Sequence, residues 1–157
     1  MKFIADGMLG KLTRWLRMLG QDVTYSNQFD DSELLAMAEN GRRILLTRDS
    51  ELCKRSIGKG IEAFYVEGRT EAEKLAELAE RFGFPLTIDM NRSRCPRCNA
   101  KIELTPKEPL AVQVEKNTFI YYDEFWKCSN CGRVYWQGAH WEGIRATLEE
   151  AKKIRGS

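Results

Sequence analysis

Histidine is nearly absent: His140 is the single one among 157 residues. Acid–base chemistry by a pair of imidazoles therefore does not fit this chain. No stretch is long and apolar enough to cross a membrane as a helix. There is no internal repeat and no low-complexity tract. Charge of neither sign dominates, since 25 Lys and Arg stand against 23 Asp and Glu, for a net +2. The balance is uneven along the chain. Residues 92–157 carry 12 Lys and Arg against 8 Asp and Glu, whereas residues 1–91 carry 13 against 15. The basic C-terminal part permits an anionic partner without demanding one. No secretory signal precedes the first strand-like segment, Lys2–Ala5, so the expected setting is cytoplasmic and reducing.

Against these absences stand five cysteines, four of them in two matched pairs. These are Cys95-Pro96-Arg97-Cys98 and Cys128-Ser129-Asn130-Cys131. A Cys-x-x-Cys pair grips one face of a tetrahedral ion, and two pairs complete a four-thiolate site for Zn²⁺. Disulfides are the weaker reading in a reducing compartment. Gly132 follows the second pair and is free to take the turn that brings amides toward the thiolates. The 29 residues between Cys98 and Cys128 exceed the usual finger spacing, which suggests a zinc ribbon with an enlarged hairpin. A closed four-cysteine site leaves no open position for substrate, so the metal would be structural. The fifth cysteine, Cys53, reads as packing.

The first 90 residues alternate strand and helix signals. Phe3-Ile4-Ala5 ends at Asp6-Gly7, and residues 8–19 follow as a helix closed by Gly20. Val23-Thr24-Tyr25 reads as a strand, and 31–40 as a helix closed by Gly41. Ile44-Leu45-Leu46-Thr47 has the continuous apolar run of a strand covered on both faces. Residues 50–57 form a short helix, Ile61–Val66 a fourth strand, and Thr70 with Glu73 a capping box opening a helix to Phe82. Strands alternating with helices predict a parallel sheet with helices on both faces. After Asp89, short β-type runs are expected at Ala111–Val114, Phe119–Tyr122 and Val134–Trp136, and a closing helix at Trp141–Ile154. The predicted organisation is α/β: a domain over 1–90 and a zinc-ribbon module with its closing helix over 91–157.

Open parallel sheets bind ligands at the carboxyl ends of their strands. Asp6 ends the first strand there, Asp49 follows the third, and Asp31 opens the second helix. Carboxylates that converge repel one another unless a cation lies between them, and Mg²⁺ or Mn²⁺ suits oxygen ligands. Such an ion can activate water and stabilise charge on a phosphodiester. Glu51 is a candidate outer ligand. Each acid also begins a helix, where Asp is a favoured cap. Asp30 with Glu33 has the form of a capping box.

On the first helix, Leu9, Leu12, Leu16 and Leu19 share one arc, with Met8 and Trp15 beside it. Gly10, Lys11, Arg14 and Arg17 fall on the other. Lys11, Arg14 and Arg17, with Arg48 beside Asp49, are candidates to hold phosphates, and Gly10 would let a backbone approach. The ribbon is crowded with aromatics, including Tyr121, Tyr122, Phe125, Trp126, Tyr135, Trp136 and Trp141. These serve first as cover for a small metal core and second as platforms for stacked bases.

Several of these segments together resemble a known family. Asp6-Gly7-Met8-Leu9-Gly10-Lys11-Leu12, Leu16-Arg17-Met18-Leu19-Gly20-Gln21-Asp22, Asp31-Ser32-Glu33-Leu34-Leu35 and Leu46-Thr47-Arg48-Asp49 are similar to the PIN-like ribonuclease family named for the C-terminal region of the mutator-seven exonuclease. Arg94–Cys98 and Cys128–Trp141 resemble that family's appended zinc ribbon. The resemblance implies a three-layer PIN-like fold, RNA as partner, and a metal-dependent ribonuclease class with Asp6, Asp31 and Asp49 as the acidic cluster. PIN nucleases usually carry a fourth acid, for which Glu51 is the nearest match. The expected function is a divalent-metal-dependent endoribonuclease, with Zn²⁺ in the ribbon and Mg²⁺ or Mn²⁺ at the acids. The alternative is a non-catalytic RNA- or ribosome-associated adaptor whose acids are caps. No membrane association is expected, and a homo-oligomer or a ribonucleoprotein partner stays open.

Overall fold

A computed structural model describes residues 1–156. Four parallel strands form the first sheet: β1 (Lys2–Ala5), β2 (Asp22–Tyr25), β3 (Ile44–Thr47) and β4 (Ala63–Tyr65). Their spatial order is β2-β1-β3-β4. The connecting helices are α1 (Gly10–Met18), α2 (Asp31–Gly41) and α3 (Ser50–Gly58), with α4 (Glu71–Phe82) after β4. A 3-10 turn at Gly7–Leu9 leads into α1.

The strand pleat sorts side chains into two cores. Phe3, Ala5 and Leu46 point to one face and pack with Leu12 and Leu16 of α1 and Leu75 and Leu78 of α4. Ile4 and Leu45 point to the other and pack with Leu34, Leu35 and Ala38 of α2 and Leu52 of α3. Adjacent residues of β1 and β3 thus serve opposite layers, which is why both strands read as unbroken apolar runs. Burying a side chain such as Phe3 or Leu46 stabilises by about 1.5–3 kcal/mol.

Helix ends follow the local chemistry. Asp30 caps α2 in a capping box with Glu33 (2.8 and 3.2 Å). The α2 exit differs from expectation by one position. Gly41 stays helical, and Arg42 takes the left-handed turn (φ 52°).

Antiparallel strands β5 (Ile102–Thr105), β6 (Phe125–Cys128) and β7 (Val134–Tyr135) form the second sheet, in that order. Along β6, Trp126 and Cys128 face one small core with Cys95 and Ile102, while Phe125 faces another with Leu110 and Val114. Two expected strands are absent here. Ala111–Val114 is a turn, and Phe119–Tyr122 lies largely in a short helix, α5 (Lys116–Tyr121). Glu115 caps that helix through the Thr118 amide (3.2 Å). Phe119 and Tyr122, three apart, turn toward Phe125, while Ile120 and Tyr121 stay exposed, a helical and not an alternating pattern.

The last helix, α6 (Trp141–Gly156), runs back to the first sheet. Leu148, Ala151 and Ile144 pack into the core shared by α1 and α4. The two sheets fall on either side of residue 90, but α6, expected to close the second module, completes the core of the first. Among the described residues, no helix is long and apolar enough to cross a membrane.

Candidate active site and metal cage

In the strand order β2-β1-β3-β4 the connections reverse direction between β1 and β3, where an open sheet leaves a crevice at its carboxyl edge. Asp6 extends the ladder at that edge, its amide donating to the Leu46 carbonyl (2.9 Å). Its Oδ1 accepts from the Gly7 amide (2.7 Å), and its Oδ2 accepts from the Thr47 hydroxyl (2.8 Å). Thr47 Oγ1 in turn accepts from the Asp49 amide (3.0 Å). A fully buried threonine hydroxyl therefore joins the two strand ends and sets the orientation of the Asp6 carboxylate. Asp49 caps α3, its Oδ1 accepting from Glu51 N (3.0 Å) and Leu52 N (3.2 Å).

Asp31 is placed differently. It lies exposed in the first turn of α2 and pairs with Arg55 of α3 (3.4 Å). Glu51 is exposed and faces Lys54 (4.0 Å). Among the described residues, the four paired cysteines are the only group of three or more His, Cys, Asp or Glu side chains close enough to share one ion. The acids thus do not make a ready three-carboxylate cage. Their chemistry suits a hydrated Mg²⁺ or Mn²⁺ held by one or two carboxylates, the usual manner for these ions.

The basic candidates separate in the same way. Lys11 and Arg14 are exposed on α1. Arg17, expected on that face, is 6 % exposed and tied to backbone. Its Nε and Nη2 donate to the Val23 carbonyl (3.1 and 2.7 Å), and its Nη1 donates to the Pro96 carbonyl (3.0 Å). The reason is topological: β2 is the sheet edge, and its outward carbonyl needs a donor. Arg48 donates from Nη1 to the Val66 (3.2 Å) and Gly68 carbonyls, bracing the loop before α4. Gly10 is small for a packing reason. A β-carbon there would meet the Tyr25 hydroxyl at 2.7 Å, and that hydroxyl donates to the Gly7 carbonyl (2.6 Å).

The cysteine cage is assembled. Sγ–Sγ separations are 3.7 Å for Cys95 and Cys131 and 3.3 Å for Cys98 and Cys128, with all four within 4.8 Å of one another. A tetrahedron with metal–sulfur bonds of about 2.3 Å has edges of about 3.8 Å, so the four thiols can hold a metal ion and fit zinc. Asn130 and Cys131 amides donate to Cys128 Sγ (both 3.4 Å), and the Tyr135 hydroxyl lies 3.0 Å from Cys95 Sγ. The Arg133 amide and guanidinium pull the Cys131 thiol down to about 6, while burial pushes Cys128 up to about 11. The residue after each second cysteine is left-handed: Asn99 (φ 75°) and Gly132 (φ 76°). His140 is exposed beside Trp141 and outside the cage.

Thr47, Arg55 and Asn99 went unnoticed in the sequence. The signal for Thr47 was a lone hydroxyl ending an otherwise apolar buried strand. Arg55 and Asn99 carried no local signal.

The architecture is thus an α/β parallel sheet with acids at its switch point and an appended four-cysteine ribbon. A family model for the Mut7-C RNAse domain matches residues 1–148, and the chain belongs to that family. No curated protein and no solved structure matches it.

Proposed function

We propose that this chain is a divalent-metal-dependent endoribonuclease with a PIN-like domain and a structural zinc ribbon. The observation that carries the reading is the pairing of Asp6 and Asp49 through Thr47 at the β1/β3 crevice, in a member of an RNase domain family. Asp6 and Asp49 would hold Mg²⁺ or Mn²⁺, with Asp31 able to join when it leaves Arg55. The ion would supply Lewis acidity at the phosphodiester and a water of lowered pKa. Thr47 keeps the Asp6 carboxylate aimed at the crevice. Lys11 and Arg14, one to two turns into the adjoining helix, offset phosphate charge. Zinc in the cage serves folding, since four thiolates leave no open coordination position.

One observation favours a second reading, a non-catalytic RNA-binding adaptor: Asp31 is engaged by Arg55, and no third acid closes on Asp6 and Asp49. Incubation of a labelled RNA pool with Mn²⁺ or Mg²⁺ separates the two. The nuclease reading requires internal cleavage by the wild type that is lost in Asp6→Asn and Asp49→Asn while zinc content persists. Absence of cleavage by the wild type, or equal cleavage by all three, leaves the adaptor.

A further inference from the structure

Between α1, the end of β2 and the two metal-binding turns lies a recessed cleft of about 650 Å³. Five cations line it: Lys11, Arg14 and Arg17 from the first sheet's side, and Arg97 and Arg133 from the ribbon. No carboxylate lines it. Tyr25, beside the Asp6 end of α1, forms part of its wall.

The cations have different tasks. With a divalent ion bound, four thiolates leave the cage with a double negative charge. Arg17 is held against the first metal-binding turn by its bond to the Pro96 carbonyl, and Arg133 follows Cys131 by two residues in the second, so these two cations adjoin the thiolates. They offset the cage. Lys11, Arg14 and Arg97 remain, and among the described residues none of these three side chains has a hydrogen bond or an ion pair. Three uncommitted cations facing one acid-free cleft form a focused positive field.

The cleft is also held in shape. Arg17 ties α1 to Pro96, and the Arg94 amide donates back to the Arg17 carbonyl (2.8 Å). Asn99 ties the same turn to Asp22 and Val23. Arg97, one residue beyond Pro96, is therefore kept opposite α1 and does not ride on a free module.

We propose that this composite cleft binds the sugar-phosphate backbone of single-stranded RNA, with Lys11, Arg14 and Arg97 gripping successive phosphates of the strand that leads to Asp6. The inference rests on the nuclease reading for its direction toward the acids. Recognition by phosphate contacts is indifferent to base sequence. The zinc ribbon then acts as one jaw of the substrate channel.

The test is a salt titration of binding, made in an Asp49→Asn background with no divalent ion added, using a fluorescent oligouridylate of about 12 nucleotides. Single-strand binding weakens with salt at a log–log slope of about −0.7 per phosphate neutralised. Lys11→Ala, Arg14→Ala and Arg97→Ala should each make the slope shallower by about 0.7, and, with the lines converging near 1 M salt, the triple variant should bind roughly 500-fold more weakly near 50 mM salt. Lys59→Ala, at the opposite edge of the sheet, should change neither. These three side chains are exposed or unpaired, so zinc content and thermal melting report that the variants are folded. Unchanged slopes in the cleft variants, an equal loss in Lys59→Ala, or no binding by the parent protein would overturn the proposal. Failure of the wild type to cleave RNA would refute the nuclease reading alone, because this measurement does not use cleavage.

Discussion

Asn99 reaches from the first metal-binding turn to Asp22 at the edge of the parallel sheet, its amide donating to Asp22 Oδ1 at 2.7 Å. Its Oδ1 accepts from the Val23 amide at 3.1 Å. Arg17 covers the Val23 carbonyl, so both outward groups of that edge residue are satisfied by groups that also position the ribbon. Asn99 does this from a left-handed backbone, which asparagine tolerates better than most residues. In Asn99→Gly the backbone is kept and the docking lost, at a cost of about 1–3 kcal/mol for two hydrogen bonds. Asn99→Ala should cost about 1 kcal/mol more from the strained φ. Urea unfolding of both variants measures the two contributions separately; equal stability of all three proteins would show that the bridge is idle.

Thr47→Val preserves shape and removes the hydroxyl that joins Asp6 to Asp49. Stability should fall by about 1–3 kcal/mol because the Asp49 amide loses its partner. Mn²⁺ binding, followed by titration calorimetry, should weaken in Thr47→Val and recover in Thr47→Ser. Equal Mn²⁺ affinity in the Thr47→Val variant and the wild type would remove the positioning role from Thr47.

Under the proposed ion site, Arg55 would compete for Asp31, with which it pairs at 3.4 Å. Both side chains are about half exposed (49 % each), so the pair is worth only about 0.5–1 kcal/mol. Arg55→Ala should therefore raise Mn²⁺ affinity at the acids by about two- to fivefold. A fall in affinity would mean that Arg55 supports the ion site.

Glu77 reports on pH. Burial raises its carboxyl above the ordinary range despite hydrogen bonds from the Glu67 (2.7 Å) and Gly68 (3.2 Å) amides. A raised folded pKa means that the native state holds the proton where the unfolded chain has lost it. The stability it contributes is full below the unfolded value of about 4.3 and is lost as pH rises through the folded value. Wild-type stability relative to Glu77→Gln should decline across that window. Urea midpoints at a series of pH values decide it, and a difference that is flat or rises with pH contradicts the assignment.

Metal removal should act locally first. Stripping the cage with a chelator is expected to release amide protection in β5–β7 while β1 and β3, buried between two helical layers, stay protected. Hydrogen exchange followed by mass spectrometry resolves the two sheets. Unchanged protection in 95–136 would show that the ribbon folds without its ion.

Much of the first sheet was legible because each strand and helix there carries its own period. Ile44–Thr47 is an unbroken apolar run, and α4 opens on Thr70 with Glu73 three residues on. The insert between the cysteine pairs was less so. Its β-type residues at 119–122 become helical because Glu115 caps them and Phe119 and Tyr122 share a face, while the strands of the ribbon lie at 102–105 and 125–128.

By itself, the chain's order of residues determined the α/β alternation, the acids at strand ends and the four-thiol cage, since each depends on residues close in sequence or on a fixed Cys-x-x-Cys spacing. Tertiary structure alone decided that Arg17 clamps the sheet edge to the first metal-binding turn, that Asp31 faces Arg55, and that α6 returns to α4. These outcomes depend on partners 24 to 79 residues away, such as Asp31 with Arg55 and Arg17 with Pro96. A helical period assigns a side chain to a face; only packing decides whether that face meets water, a sheet edge or a second module.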